Sequence, residues 1–85
     1  MAAVTIYTRA MCGYCSRAKY LFEKKGVAFV EHDATMKPKV KAEMVAKSGG
    51  ATTFPQIFIG EKHVGGCDDL FVLERAGKLD AMLAA

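Results

Sequence analysis

The pattern of apolar and polar positions alternates between short runs typical of strands and longer stretches with helical spacing. Val4–Thr8 is rich in β-branched and aromatic residues, which favours a strand. Residues 14–25 follow with helical periodicity, and their apolar positions share one face: Cys15, Ala18, Leu21 and Phe22. We expect Gly26 to end that helix, and residues 27–30 to form a second strand that stops at the polar segment 31–33. This order predicts a compact βαβ unit with parallel strands.

The second half of the chain predicts a hairpin and three helices. Pro38 suits the first turn of a helix that runs to about Lys47 and ends at the segment 48–50. Gly60-Glu61 is the only link between two β-like runs, which indicates a tight antiparallel hairpin. The remaining strands and helices are predicted over residues 56–59, 62–64, 67–76 and 79–83. The order β-α-β-α-β-β-α-α gives an α/β fold class, with the parallel pair and the hairpin in one four-stranded mixed sheet flanked by helices.

Length and composition narrow the class of protein. The chain has 85 residues, which predicts a single domain over residues 1–85. No apolar run approaches the roughly 18 residues needed to cross a bilayer, and the first residues lack the features of a secretory signal. The net charge of +3 is mild and its lysines and arginines are scattered, which argues against nucleic-acid binding. We therefore expect a cytoplasmic protein without a membrane or nucleic-acid partner.

The cysteines provide the candidate chemistry. Three cysteines do not suit a disulfide scaffold, whereas a close pair in a reducing compartment is typical of catalysis or metal binding. Cys12 and Cys15 lie where the first strand gives way to the first helix, and the backbone N–H groups of a helix start stabilise a thiolate. We predict that Cys12 is the exposed nucleophile and that Cys15 is the resolving thiol on the apolar face. Arg9, or Lys19 if it folds back, is expected to add positive charge.

A zinc site is the alternative that the residues leave open. A Cys-X-X-Cys pair is half of a zinc ligand set, and His63 with Cys67 supplies a nominal second half. The position of the pair inside a βαβ unit favours redox chemistry instead, so we expect no resident metal. His63 is then expected to lie exposed in the hairpin without a catalytic role, and Cys67 to contribute its backbone rather than its sulfur.

Three segments together resemble the glutaredoxins, the small glutathione-dependent members of the thioredoxin-fold superfamily. They are Tyr7-Thr8 ahead of Cys12-Gly13-Tyr14-Cys15, then Thr53-Phe54-Pro55-Gln56-Ile57-Phe58-Ile59, then Gly65-Gly66-Cys67-Asp68-Asp69-Leu70. Each segment alone is a weak signal, but three in order over nearly the whole chain are specific. The resemblance, to the small dithiol bacterial type, implies a thioredoxin fold. It also implies reduction of protein disulfides and protein–glutathione mixed disulfides, with glutathione as the co-substrate.

The resemblance further implies where glutathione binds. It implies a cis peptide before Pro55, and main-chain pairing of Phe54, where the family usually has Val, with the cysteine residue of glutathione. The start of the third helix is implied to hold the γ-glutamyl end, and two cations to hold the glycyl carboxylate. The implied glutathione-binding residues are Arg9, Tyr14, Lys41, Thr53, Phe54, Pro55, Cys67 and Asp68.

The same resemblance implies partners and leaves two other functions open. The expected partners are glutathione, client proteins with a disulfide or a bound glutathione, and glutathione reductase acting indirectly through glutathione; the chain is expected to be a monomer. The first alternative is a [2Fe–2S] cluster carrier, a dimer in which Cys12 and glutathione from each subunit are the ligands, because Gly13 stands where the family usually has Pro. The second is a redoxin reduced by thioredoxin reductase, against which Arg9 and Asp68 argue.

Overall fold

The computed structural model of the chain describes residues 2–85. Strands and helices alternate in the order that the sequence predicts. The elements are β1 (Val4–Thr8), α1 (Gly13–Lys24), β2 (Val30–Asp33), α2 (Pro38–Lys47), β3 (Gln56–Ile59), β4 (Lys62–Gly65), α3 (Cys67–Arg75) and α4 (Leu79–Ala84). The predicted fold class is therefore confirmed. No helix within residues 2–85 combines the length and the apolar character that a membrane span requires.

The strands form one four-stranded mixed sheet in the order β2-β1-β3-β4. β1 pairs parallel with β2 and antiparallel with β3, and β3 pairs antiparallel with β4. β1 is therefore an inner strand, with Thr8 at its carboxyl end. Since the chain passes from this end directly into α1, the segment that contains Cys12 is anchored by the interior of the fold.

The second strand lies further along the chain than the sequence predicts. We expected it at residues 27–30, but β2 covers Val30–Asp33, most of which is exposed. β2 is an edge strand, so backbone pairing with β1 holds it in place and its side chains need not be apolar. Val27 and Phe29 pack against the core from the preceding loop. Their apolar character thus indicated burial rather than pairing.

Both faces of the sheet are covered. Because successive side chains of a strand point to opposite faces, Ile6 of β1 faces one cluster and Tyr7 the other. The larger cluster lies between the sheet and the helices α1, α3 and α4: Val4, Ile6, Ala18, Leu21, Phe22, Ile57, Ile59, Leu70, Leu79 and Leu83. The smaller lies under α2: Tyr7, Met44 and Phe58. A Val, Leu, Ile, Phe or Met side chain in these clusters contributes about 1.5–3 kcal/mol when fully buried, so β1 and the start of α1 form a rigid base.

Candidate active site

Cys12 is the N-cap residue of α1. Its backbone is extended, with φ −109° and ψ 106°, which leaves its side chain free to fold back over the first helical turn. The Cys15 N–H donates a hydrogen bond to the Cys12 Sγ at 3.2 Å. The sulfur therefore accepts from one of the N–H groups that a helix start leaves without an intrahelical partner.

The surroundings of Cys12 favour its thiolate. Burial by itself raises the pKa of Cys12, but the hydrogen bonds from the Cys15 thiol and the Cys15 N–H outweigh it. The charge of Arg9 and the Tyr14 N–H act in the same direction, so the pKa of Cys12 lies below that of an ordinary thiol. The half-buried Cys12 is thus the sulfur that ionises first.

Cys15 has the opposite environment. Its side chain is only 2% exposed on the inner face of α1. Burial, followed by the hydrogen bond that its thiol donates to Cys12, raises the pKa of Cys15 to about 12. The two cysteines therefore differ in acidity: Cys12 ionises more readily than an ordinary thiol, whereas Cys15 keeps its proton at neutral pH.

A groove of about 480 Å³ lies beside the dithiol. The Cys12 thiol donates to the Phe54 carbonyl at 3.9 Å, so the sulfur lies against the wall of this groove. The Phe54–Pro55 peptide is cis, as the resemblance implies. Six of the eight implied glutathione residues line the groove: Tyr14, Thr53, Phe54, Pro55, Cys67 and Asp68.

The start of α3 forms the far side of the groove. Gly66 is its N-cap, and the Gly66 N–H donates to the Asp69 Oδ2 at 3.1 Å. Gly65 has φ +117°, and a Cβ there would collide with the Asp69 carboxylate, so this position requires glycine. Cys67, the first residue of α3, is 5% exposed, and burial raises the pKa of its thiol. The positive end of the α3 dipole therefore faces the groove, a suitable environment for an anion.

The implied cations lie elsewhere. Arg9 lines a second depression, of about 380 Å³, together with Cys12 and Cys15. Its guanidinium lies 5.6 Å from the centre of the Phe54 ring, so Arg9 reaches from this depression toward the groove. Lys41 is exposed on α2 and lines neither cavity. Lys19 does not lie free beside Cys12, because its ammonium pairs with Glu31 at 3.2 Å.

Two groove residues were missed by the sequence reasoning. His63 was expected to be exposed and without a role, but it is half-buried, lines the groove and lies with its Nε2 2.6 Å from the Gln56 Oε1. The alternation of apolar and polar residues in a hairpin does not show which end of each strand lies at the active site. It therefore could not place His63 in the groove. The available signal was Gln56, a polar residue that begins the otherwise apolar strand β3.

Within residues 2–85, no group of three or more His, Cys, Asp or Glu side chains is arranged to hold a metal ion.

A mixed four-stranded sheet with a dithiol at a helix start defines the class of protein: a thiol–disulfide oxidoreductase with a thioredoxin-like fold. The sequence model of the family described as Glutaredoxin matches residues 4–64. A glutaredoxin of Pseudomonas aeruginosa is 60% identical over 85 residues, which is 100% of both chains. The chain therefore belongs to the glutaredoxin family, and it is a glutathione-dependent thiol–disulfide oxidoreductase.

Solved structures agree with this assignment. The solution structure of a glutaredoxin from Brucella melitensis is 58% identical, with a TM-score of 0.84 over 98% of this chain and 89% of that one. The crystal structure of a buckwheat glutaredoxin–glutathione complex is 33% identical, with a TM-score of 0.86 over 98% of this chain and 77% of that one. The similarity thus covers the sheet, the dithiol and the start of α3 together.

Proposed function

We propose that Cys12 is the nucleophile and Cys15 the resolving thiol of this oxidoreductase. The observation that supports these roles is the pair of hydrogen bonds from Cys15, one from its N–H and one from its thiol, which favour the thiolate of Cys12. Burial, together with the hydrogen bond to Cys12, keeps the proton on Cys15. Thiol–disulfide exchange needs one thiolate at a time, so this asymmetry determines which sulfur attacks first.

With a glutathionylated protein, the reaction needs Cys12 alone. The Cys12 thiolate attacks the glutathione sulfur, the protein thiolate leaves, and glutathione remains bound to Cys12 through a disulfide. A second glutathione thiolate attacks that glutathione sulfur, which releases oxidised glutathione and restores the Cys12 thiolate. The net reaction uses one free glutathione: the client thiolate is released, and the glutathione that the client carried leaves as one half of the oxidised glutathione. Cys15 takes no part as a nucleophile in this route.

With a protein disulfide, both cysteines react. The Cys12 thiolate attacks one sulfur of the client, and the other client sulfur leaves as a thiolate. Cys15 then loses its proton to that leaving thiolate or to water, and attacks Cys12. The client sulfur leaves reduced, and a Cys12–Cys15 disulfide forms. Two glutathione molecules reduce this disulfide to the dithiol and become oxidised glutathione.

The groove is the proposed glutathione site. The backbone of Phe54 pairs with the cysteine residue of the tripeptide, whose sulfur then lies beside Cys12, while Thr53 and Pro55 hold this wall and Tyr14 flanks the dithiol. At the other end, the backbone N–H groups at the start of α3, near Cys67, donate to the γ-glutamyl carboxylate, and the Asp68 side chain pairs with the γ-glutamyl ammonium.

The glycyl carboxylate is assigned to Arg9. Its guanidinium already lies over the Phe54 ring at the edge of the groove, and a guanidinium binds a carboxylate with two hydrogen bonds. Lys41 is also in the proposed set, but it has to reach the carboxylate from the exposed surface of α2. We therefore expect Arg9 to contribute the larger share of the binding free energy.

The proposed setting is a reducing compartment, the cytoplasm, since three cysteines do not suit a disulfide scaffold. The proposed partners are client proteins with a disulfide or a bound glutathione, and glutathione reductase indirectly through its product. We propose that the chain acts as a monomer in this cycle, because the proposed nucleophile, the resolving thiol and the groove all belong to one chain.

A coupled assay with glutathione, glutathione reductase and either substrate tests the proposal. Cys12→Ser should abolish the reduction of both a glutathionylated protein and a protein disulfide. Cys15→Ser should retain deglutathionylation and lose protein-disulfide reduction. Equal loss in both variants would overturn the division of roles. Reduction of the parent chain by thioredoxin reductase but not by glutathione would overturn the glutathione site.

A [2Fe–2S] carrier is the second candidate function. A Cβ at Gly13 would meet nothing within 4 Å, so space remains beside Cys12 where the family's usual Pro would stand. One chain supplies one thiolate ligand, Cys12, and a second chain with two glutathione molecules would complete the set of four sulfur ligands. Such a cluster would make the chain a carrier of iron and sulfide. Purification without oxygen tests this: a brown dimer that absorbs visible light supports it, and a colourless monomer excludes it.

A further inference from the structure

A polar network of hydrogen-bonded side chains lies behind the wall of the groove. Gln56 begins β3 and is 3% exposed. Its Nε2 lies 3.0 Å from the Thr53 carbonyl oxygen and 3.1 Å from the Thr53 Oγ1. Its Oε1 lies 2.6 Å from the Nε2 of His63 on β4. Because both ends of this buried amide are hydrogen-bonded, the Gln56 side chain is held in one orientation.

The Thr53 carbonyl determines the direction of these hydrogen bonds. A carbonyl oxygen only accepts, so Gln56 must present its NH₂ group to Thr53 and its oxygen to His63. The Gln56 oxygen also only accepts, so the His63 Nε2 must carry a hydrogen. Phe58 holds the imidazole in place: it pairs with His63 across the hairpin, with the ring centres 4.9 Å apart. The hydrogen bonds therefore run in one direction, from β4 through β3 to the groove wall.

This polar network orients one peptide group of the groove. Phe54–Pro55 is the cis peptide recorded within residues 2–85, so the Thr53–Phe54 peptide is trans. In a trans peptide the C=O and the following N–H point in opposite directions. Since Gln56 binds the Thr53 C=O, the Phe54 N–H points away from Gln56. No acceptor within residues 2–85 takes this N–H, and Phe54 lines the groove.

We propose that His63 and Gln56 are positioning residues for glutathione, an inference that rests on the proposed glutathione site. They hold the Thr53–Phe54 peptide so that the Phe54 N–H is available to the main chain of the tripeptide. Neither side chain touches the reacting sulfurs, because Cys12 is held from α1 by Cys15. Disruption of the polar network should therefore weaken glutathione binding and leave the chemistry at Cys12 unchanged.

Two pairs of variants test this. Gln56→Glu has the shape of Gln56, but a carboxylate cannot donate to the Thr53 carbonyl. His63→Leu removes the donor to Gln56, whereas His63→Gln retains an N–H donor. Lys62→Gln is the matched control, since Lys62 is exposed in the same hairpin and lies outside the groove. Rates are measured at varied glutathionylated substrate with fixed glutathione, after circular dichroism has shown which variants fold.

We expect Gln56→Glu and His63→Leu to raise the KM for the glutathionylated substrate about five- to tenfold, the loss expected for one hydrogen bond, with kcat changed less than about twofold. His63→Gln and Lys62→Gln should retain the KM of the parent. The pH dependence of Cys12 alkylation should be the same in all four variants.

An unchanged KM in Gln56→Glu and His63→Leu would overturn the inference, as would equal effects of His63→Leu and His63→Gln. If Gln56→Glu does not fold, the His63 pair decides by the same criteria. These results differ from failure of the proposed function, in which the parent itself shows no glutathione-dependent rate and the inference fails with it.

Discussion

Replacing Cys15 by Ala or by Ser separates two hydrogen bonds that act on Cys12. Both variants keep the Cys15 N–H, 3.2 Å from the Cys12 Sγ. Ser also keeps a side-chain donor, whereas Ala does not. A hydrogen bond to a charged group contributes about 1.5–3 kcal/mol, and we take the lower end because Cys12 is only half-buried. Loss of this bond should then reduce the acid dissociation constant of Cys12 about tenfold.

The rate of alkylation by iodoacetamide, followed by mass spectrometry as a function of pH, measures this change. A thiolate of higher pKa is intrinsically more reactive, which offsets about half of the effect on a logarithmic scale. Compared with Cys15→Ser, Cys15→Ala should therefore react about threefold more slowly at low pH and about threefold faster above its inflection. Cys67 should not interfere, since it is 5% exposed and burial raises its pKa. Identical profiles for the two variants would refute the reasoning and leave the backbone N–H as the relevant contact.

Three further predictions concern the groove and the fold. Gly65→Ala should lower the free energy of unfolding, measured in urea, by more than about 2 kcal/mol. The reason is that residue 65 has φ +117° and that a Cβ there would meet the Asp69 carboxylate. The control Gly49→Ala, at φ +72° with nothing within 4 Å, should lower it by only about 1 kcal/mol. Asp68→Asn should raise the KM for the glutathionylated substrate about tenfold without changing Cys12 alkylation, and a change confined to kcat would contradict the binding role. Burial, with the hydrogen bond to Cys12, raises the pKa of Cys15 from 9.0 to about 12. Between these pH values the folded chain keeps this proton while the unfolded chain releases it, so this contribution to stability should be lost between pH 9 and about 12. Urea titrations over this pH range should show a smaller loss of stability in Cys15→Ala than in the parent. Equal losses would contradict Cys15 as the cause.

The fold could be predicted from the sequence wherever local pattern and burial agree. Val4–Thr8 and Pro38–Lys47 form the strand and the helix that the sequence predicts, because β-branched residues favour a strand and proline favours a first helical turn. The prediction was wrong at β2, where apolar residues pack without pairing and polar residues pair at the edge of the sheet. A strand lies at the edge of a sheet because of which strands pair beside it, and its own residues do not show that arrangement.

The spacing of Cys12 and Cys15 and their position at a helix start predict dithiol chemistry, because both are local properties that act over a single turn. The surroundings of the two cysteines depend instead on contacts between distant parts of the fold. The wall at Phe54, the start of α3 and the side chain of His63 come from distant parts of the chain and meet through the pairing of β1, β3 and β4. Polar residues in a hairpin show no periodicity that would reveal this meeting, since their hydrogen bonds depend on which elements become neighbours in the folded chain.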